Sequence, residues 1–363
     1  MRRGVATLAA VPESRTAPAV PRRQRAVVYT EPGQVAVEER AVRVLGPHDV
    51  LLQVSHCGIC GSDIHFVLEG WGAPGSVEGH EYSATVVAVG DAVTEWTVGD
   101  QVVGGPSPRC GTCEYCLEGR PSLCTGRSAV GVDESSDGAF AEYVVTTERS
   151  ILRIPEGVSL RAAALAEPLA VALHGLTRGG VHEGQRLLVT GGGPIGALSV
   201  AAARARGVTD VVVSEPHPRR RALCERLGAV AVEPDALVPP SMPHATVDEP
   251  FDVALECSGH PSAMEAALAQ LKRAGTLVLV GAGIKRPRFD NNRILLNELT
   301  ITGSFVYDAD GFERALELLA RPDFPSDVLI EPGDVPLTGV LDALRGLGSG
   351  DLAGKVMIVP SAP

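Results

Sequence analysis

The chain has 363 residues, 45% hydrophobic and 21% charged, enough to fill two cores of unequal size beneath a charged surface. Its formal net charge of −12 repels phosphate backbones and anionic lipid heads, which argues against nucleic acid as a partner. No run approaches the roughly 18 to 20 uninterrupted apolar residues of a membrane span, so a membrane is not expected as a partner either.

Residues 1–25, rich in Ala, Pro and Arg, read as a disordered N-terminal tail, because the apolar stretch Gly4 to Val11 is short and Pro12 ends it, unlike an export signal. Without export the eight cysteines are reduced thiols available for metal, and a cytoplasmic location follows. Over residues 26–168 the segments AVVYT, VAVEE and VLLQVSHCGIC, separated by Gly, Pro and Asp, predict a β-rich domain, barrel-like or sandwich-like. From 169 to 306 strand, glycine-rich turn and helix recur through VVVSE, FDVALECSG and TLVLVGAG, the rhythm of a parallel sheet with crossover helices, so the fold class is α/β. Residues 307–363 hold the helix-like DGFERALELLA and VLDALRGL and a last strand KVMIVP, expected to return to the first domain. The Pro-rich DALVPPSMPHATVDEP reads as a surface loop.

Cys110, Cys113, Cys116 and Cys124 stand with two, two and seven residues between successive thiols. Four thiolates at this spacing can converge on one tetrahedral ion at about 2.3 Å and leave no open position, so the chemistry is structural. Upstream, GICGSDIH and GHE supply Cys60, His80 and Glu81, and AEPLAVALH supplies Glu167. A thiolate, an imidazole and a carboxylate form a mixed set suited to an ion that keeps one position open, with either acid as the third ligand. Cys57 forms a CxxC with Cys60, but reads as a small buried strand residue.

VTGGGPIG follows an apolar strand and opens a helix-compatible run, so that Gly191, Gly193 and Gly196, with Pro194 and Ile195 between, match G-x-G-x-x-G. Such a turn lets backbone approach a pyrophosphate at the positive end of a helix. Glu215 ends the next strand, where an acid accepts from the adenosine ribose hydroxyls and repels a 2′-phosphate, favouring NAD over NADP. The run Arg219, Arg220, Arg221 pulls the other way; Arg220 could cap the ribose beside Glu215, and the other two read as a solvated helix start.

Taken together, GICGSDIH, GHE, the four-cysteine run, GGGPIG and VALECSG resemble the zinc-dependent medium-chain dehydrogenase/reductase family, from about Arg25 to the C-terminus. The acid in EPLAVALH, where simple-alcohol dehydrogenases tend to carry a cysteine, is similar to the sorbitol, threonine and butanediol dehydrogenase branch. The resemblance implies a GroES-like catalytic domain and a Rossmann-type NAD-binding domain. It implies one catalytic zinc on Cys60, His80 and either Glu81 or Glu167, and one structural zinc on the four clustered cysteines. By the same resemblance, Ser62 and His65 pass the substrate proton to solvent, Asp63 stands behind the metal ligands, and Gly281 lies beside the nicotinamide. A homodimer or homotetramer is implied as well. Two features depart from the branch: Val306 and Tyr307 replace an Arg–Tyr pair typical of sorbitol dehydrogenases, and GWGAPGSVE, with Trp71, matches no named substrate.

The expected reaction is hydride transfer between NAD(H) and a secondary alcohol or ketone on a polar small molecule: a polyol, amino alcohol or cyclitol. A hydroxyl brought to such an ion has its pKa lowered strongly, as bound water falls from about 16 to about 7. An alternative keeps the fold but recycles tightly bound NAD in a net epimerisation or elimination, with no NADH accumulating. A non-catalytic scaffold protein is a third class, against which the intact ligand set argues.

Overall fold

The computed structural model describes residues 21–104, 110–126, 138–307 and 309–362. Residues 1–20 of the expected tail lie outside the described residues, and the first strand starts at Arg23, three residues before the domain start at residue 26 read from sequence.

The first domain is an antiparallel β assembly. β1 (Arg23–Glu31) and β2 (Gln34–Ala41) form a hairpin, and β3 (Asp49–Gly58) pairs with β4 (Glu81–Val89). β5 (Gln101–Gly104) follows on the far side of β4, β6 (Tyr143–Thr147) flanks β3, and β7 (Ile151–Arg153) borders β5. The inward residues Val50, Leu52, Val54, Ala84, Val86 and Val102 build its core, as period-2 burial of one sheet face requires. Three short or medium helices decorate it: α1 (Gly61–Leu68), α2 (Glu114–Leu117) and α3 (Leu160–Ala163).

α4 (Ala166–Arg178), buried along most of its length, joins the two halves. Beyond it, β8 (Arg186–Thr190), β9 (Asp210–Ser214), β10 (Val230–Val232), β11 (Phe251–Glu256), β12 (Leu271–Leu279) and β13 (Thr300–Gly303) form one parallel sheet in the order β10-β9-β8-β11-β12-β13. Covered on both faces, its strands are continuous apolar runs such as Leu187–Leu188–Val189. The crossovers are α5 (Pro194–Ala205), α6 (Pro218–Arg226), α7 (Pro261–Ala269) and α8 (Asn291–Asn297). The strand order reverses at β8, so a crevice opens above the carboxyl ends of β8 and β11, the place where such sheets take ligands. The Pro-rich loop is a surface segment fastened from below: Gln270 donates to the Val238 carbonyl at 3.0 Å, Arg293 to that of Ala245 at 2.7 Å and Asn297 to that of Pro243 at 2.8 Å.

The C-terminal return happens in two steps. α9 (Gly311–Leu319) puts Phe312, Ala315, Leu316 and Leu319 into the same core as Leu169 and Leu173 of α4, so it stays beside the joining helix. After α10 (Ser326–Leu329), α11 (Val340–Ser349) and β14 (Met357–Ile358) enter the first-domain core, with β14 pairing onto Gly58 and Cys57 of β3. No described helix is long and apolar enough to cross a membrane.

Candidate functional site

The ladder between β3 and β4 opposes Gly58 to Glu81 and Cys57 to Tyr82, which places the end of one strand against the start of the other. Cys60 caps the N-terminus of α1 immediately after β3, and His80 immediately precedes β4. One ligand atom from each of Cys60, His80 and Glu81 therefore lies within 4.8 Å of the others. Such a donor set fits zinc, whose bonds to sulfur, nitrogen and oxygen are about 2.0 to 2.3 Å. Cys57 faces away into the core, as a packing residue does.

Asp63 is fully buried and ties the cluster together: the Cys60 backbone N–H donates to Oδ2 at 2.7 Å, closing a capping box, while Oδ1 lies 3.8 Å from His80 Nδ1. With an acid on the Nδ1 side, the other ring nitrogen is the one left to meet an ion. Burial raises the Asp63 carboxyl to about 6 and that of Glu167, in the first turn of α4, to about 7.

Glu81 has a partner that sequence reading missed. Lys355 Nζ lies 2.8 Å from Oε1 and 2.7 Å from Oε2, and donates to the Ile59 carbonyl at 2.9 Å. Burial alone would lower the lysine pKa, but Glu81 and Cys60 overcome it and raise it. Asp63, Glu81, Glu167 and a thiol thus share only His80 and Lys355 as cationic partners, a buried set of donors whose ionised forms a divalent cation would stabilise.

Ser62 and His65 stand three positions apart on α1, hence on one face. His65 Nδ1 is 2.9 Å from Glu69 Oε2, and its ring stacks on Trp71 with centroids 5.0 Å apart and planes 18° from parallel. The second feature resolves what Trp71 touches, which the sequence left unassigned.

In the cysteine lobe, Cys110, Cys113, Cys116 and Cys124 come within 4.8 Å of one another as free thiols. Backbone N–H groups of Thr112 and Cys113 bring the Cys110 pKa down to about 5, a sulfur held ready as thiolate. Four sulfurs and no fifth donor fit a closed structural ion.

At the crevice, Gly193 is the N-cap of α5 with Pro194 and Ile195 opening the helix, and Gly191 adopts φ +93. A Cβ at Gly196 would lie 1.9 Å from the Gly191 carbonyl oxygen, so only glycine allows the turn. Glu215 is buried, its Oε2 accepting from Gly192 N–H at 2.7 Å and its Oε1 from His217 N–H at 2.8 Å, so it also braces the glycine loop. Gly281 follows β12 and packs against the Cys257–Gly259 backbone. Val306 departs in backbone as well as in side chain, with φ +57, unusual for a β-branched residue.

The arginine run, with Arg219 exposed at the start of α6, also makes specific main-chain contacts. Arg219 donates to the Asp351 carbonyl at 2.7 Å, and Arg220 to those of Leu347 at 2.6 Å and Leu352 at 3.4 Å, linking α6 to the last turn of α11 and the segment after it. Arg221 binds the carbonyls of Glu215 and Pro216 and pairs with Glu233 at 2.8 Å. A strand-to-helix turn faces the neighbouring domain here, a placement that local sequence does not reveal.

Comparison with known proteins agrees with this geometry. Residues 46–156 match the alcohol dehydrogenase GroES-like domain and residues 194–321 the zinc-binding dehydrogenase domain. The chain is 34% identical over 353 residues to sorbitol dehydrogenase of Bacillus subtilis, covering 94% of this chain and 99% of that protein. It is 35% identical over 300 residues to L-threonine 3-dehydrogenase of Saccharopolyspora erythraea, covering 80% and 85%. The solved structure of L-idonate 5-dehydrogenase from Escherichia coli superposes with a TM-score of 0.83 at 30% identity, covering 93% of this chain and 98% of that one. On motifs, fold and relatives alike, the chain belongs to the zinc-dependent medium-chain dehydrogenases, oxidoreductases that act on alcohols with a nicotinamide dinucleotide.

Proposed function

We propose that this protein transfers hydride between NAD(H) and a secondary alcohol or ketone carried by a polar, polyol-like molecule, amino alcohols and cyclitols included. The observation that carries the reading is the convergence of Cys60, His80 and Glu81 within 4.8 Å, beside an acid of α4, Glu167, that interacts with His80. The relatives named above are dehydrogenases of sorbitol, of L-threonine, a hydroxy amino acid, and of L-idonate, a sugar acid, which supports a hydroxylated polar substrate. When bound, the ion supplies Lewis acidity that lowers the pKa of a substrate hydroxyl.

The chain's own residues do the rest. Cys60 and His80 would hold the ion, and either Glu81, which Lys355 also engages, or Glu167 would complete the set. Asp63 orients His80 and fixes Cys60 through its backbone N–H. Ser62 takes the substrate's hydroxyl proton and His65 carries it outward. Cys110, Cys113, Cys116 and Cys124 hold the second, structural ion.

Gly191, Gly193 and Gly196 seat the pyrophosphate at the N-terminus of α5, and Gly281 borders the nicotinamide. NAD is favoured because the buried Glu215 charge lies under the glycine loop while all three neighbouring arginines are engaged by carbonyls or Glu233. Arg220 remains close enough to Gly193, 3.8 Å from where its Cβ would be, to face the adenosine ribose. Eight free thiols support a reducing, cytoplasmic setting. The position of β13 at the edge of the sheet among the described residues, with Leu295 and Leu296 of α8 exposed, supports a homodimer or homotetramer.

The test is NADH formation across polyols, diols, amino alcohols and cyclitols, with metal measured in the same sample. NADH produced from at least one class by zinc-loaded protein is expected. Turnover of such a substrate with no NADH accumulating would replace the reading with a cofactor-recycling epimerase or lyase.

A further inference from the structure

His65 sits where three independent features meet. It lies in the last turn of α1. Its Nδ1 is 2.9 Å from a carboxylate oxygen of Glu69, which can only accept, so Nδ1 carries the hydrogen. Its ring face lies on the indole of Trp71, with the two planes nearly parallel.

The placement of Trp71 follows from how the helix ends. Gly70 adopts φ +78, the left-handed conformation that closes helices, and the Trp71 N–H donates back to the His65 carbonyl at 3.3 Å while Gly72 N–H donates to that of Phe66 at 3.0 Å. These bonds fold the chain back over the final turn and lay residue 71 against His65. With Nδ1 held by Glu69, Nε2 is the nitrogen available on the other side of the ring. Glu69 is 40% exposed at its side chain, His65 only 23%, so the carboxylate is the member of the pair that reaches water.

We infer that Glu69 extends the proton path beyond His65, with Trp71 as the residue that fixes the imidazole plane. The inference rests on the proposed role of His65. As the substrate loses hydride to NAD, its hydroxyl proton passes by way of Ser62 to His65 Nε2, the Nδ1 proton moves to the Glu69 carboxylate and on to water, and exchange of the Nε2 proton with water, with Nδ1 taking one up, restores the starting tautomer before the next turnover. One hydride and one proton leave the substrate, and no other reactant is needed. Trp71 is a positioning residue, since its indole stacks on the imidazole and acts through it.

The experiment uses zinc-loaded full-length protein and whichever alcohol gives NADH. Glu69→Gln should keep its metal content and its KM for alcohol and NAD within about two-fold, while kcat falls about ten-fold or more, within the range of proton-transfer defects. Formate or imidazole added as a small base should restore kcat in a concentration-dependent way, and Glu69→Asp should retain most of the rate. Independently of turnover, the His65 imidazole ¹⁵N signals, assigned by their loss in His65→Asn, should report an Nδ1–H tautomer that becomes mixed in Glu69→Gln. Trp71→Ala should lower kcat and Trp71→Phe should recover it. A Glu69→Gln enzyme as fast as wild type, or slow but indifferent to added base, overturns the inference. If His65→Asn is itself as fast as wild type, the fault lies with the His65 role in the proposed function instead.

Discussion

Lys355 and Glu81, 274 residues apart, meet as a buried ion pair directly behind the Cys60–His80 cluster. Removing one partner of such a pair leaves an uncompensated charge in a dry site, which costs about 3 to 5 kcal/mol. Lys355→Met should therefore lower the unfolding midpoint sharply in urea or on heating. Adding Glu81→Gln to that variant should recover part of the loss, because the orphaned charge is gone. A Lys355→Met protein as stable as wild type would show that the pair does not hold this corner together.

The cysteine lobe makes a separable claim about metal. Cys116→Ser should lose the ion of the four-thiol site and keep the one at Cys60 and His80, so that elemental analysis reads one zinc per chain in place of two. Loss of a closed site also removes folding free energy, and the variant should melt earlier. Full metal content and unchanged melting would contradict a structural ion there.

Arg293 is a buried guanidinium satisfied wholly by main-chain carbonyls: Leu268 at 3.2 Å, Ala245 at 2.7 Å and Leu271 at 3.0 Å. Burial lowers its pKa, yet it remains a cation, and it clamps the Pro-rich loop to β12. Arg293→Ala strands those acceptors at about 1 to 3 kcal/mol for each one left unsatisfied. The variant should be cut faster by protease between residues 237 and 250, whereas equal resistance would argue that the loop holds itself.

Asp100 supplies a pH signature. Two hydrogen bonds from Arg153, at 2.6 and 3.1 Å, hold its carboxyl below the usual range, and the same guanidinium lies over the Trp96 ring. A depressed folded pKa stabilises the fold above the unfolded value of about 3.9 and loses that contribution as pH falls through the folded one. The stability gap between wild type and Asp100→Asn should thus be widest above about pH 4 and narrow toward pH 2. A gap independent of pH would contradict the linkage.

What was legible in the sequence is what is local. The four thiols, GHE, GICGSDIH and GGGPIG each place their chemistry within a few residues, so spacing alone conveyed ligand type and open or closed coordination. The parallel sheet was legible because strands buried on both faces are continuous apolar runs. Contacts that cross the chain were not. Nothing near KVMIVP marks Lys355 as the partner of Glu81, since β14 reaches β3 only after both domains are built. The contacts of Arg219 and Arg220 were not legible in the run itself, because the carbonyls they bind belong to residues 347–352. Likewise α9 carried a clear helical pattern, but not the choice of α4 as the surface it covers. Val306 was visible as a departure in residue type, while its left-handed backbone was not.

The most direct test is zinc content and NADH production measured together on Cys60→Ala. The account predicts that the ion between β3 and β4 and the dehydrogenase activity vanish in the same preparation, with the four-cysteine ion retained. Alcohol oxidation persisting in protein that has lost that ion would contradict it.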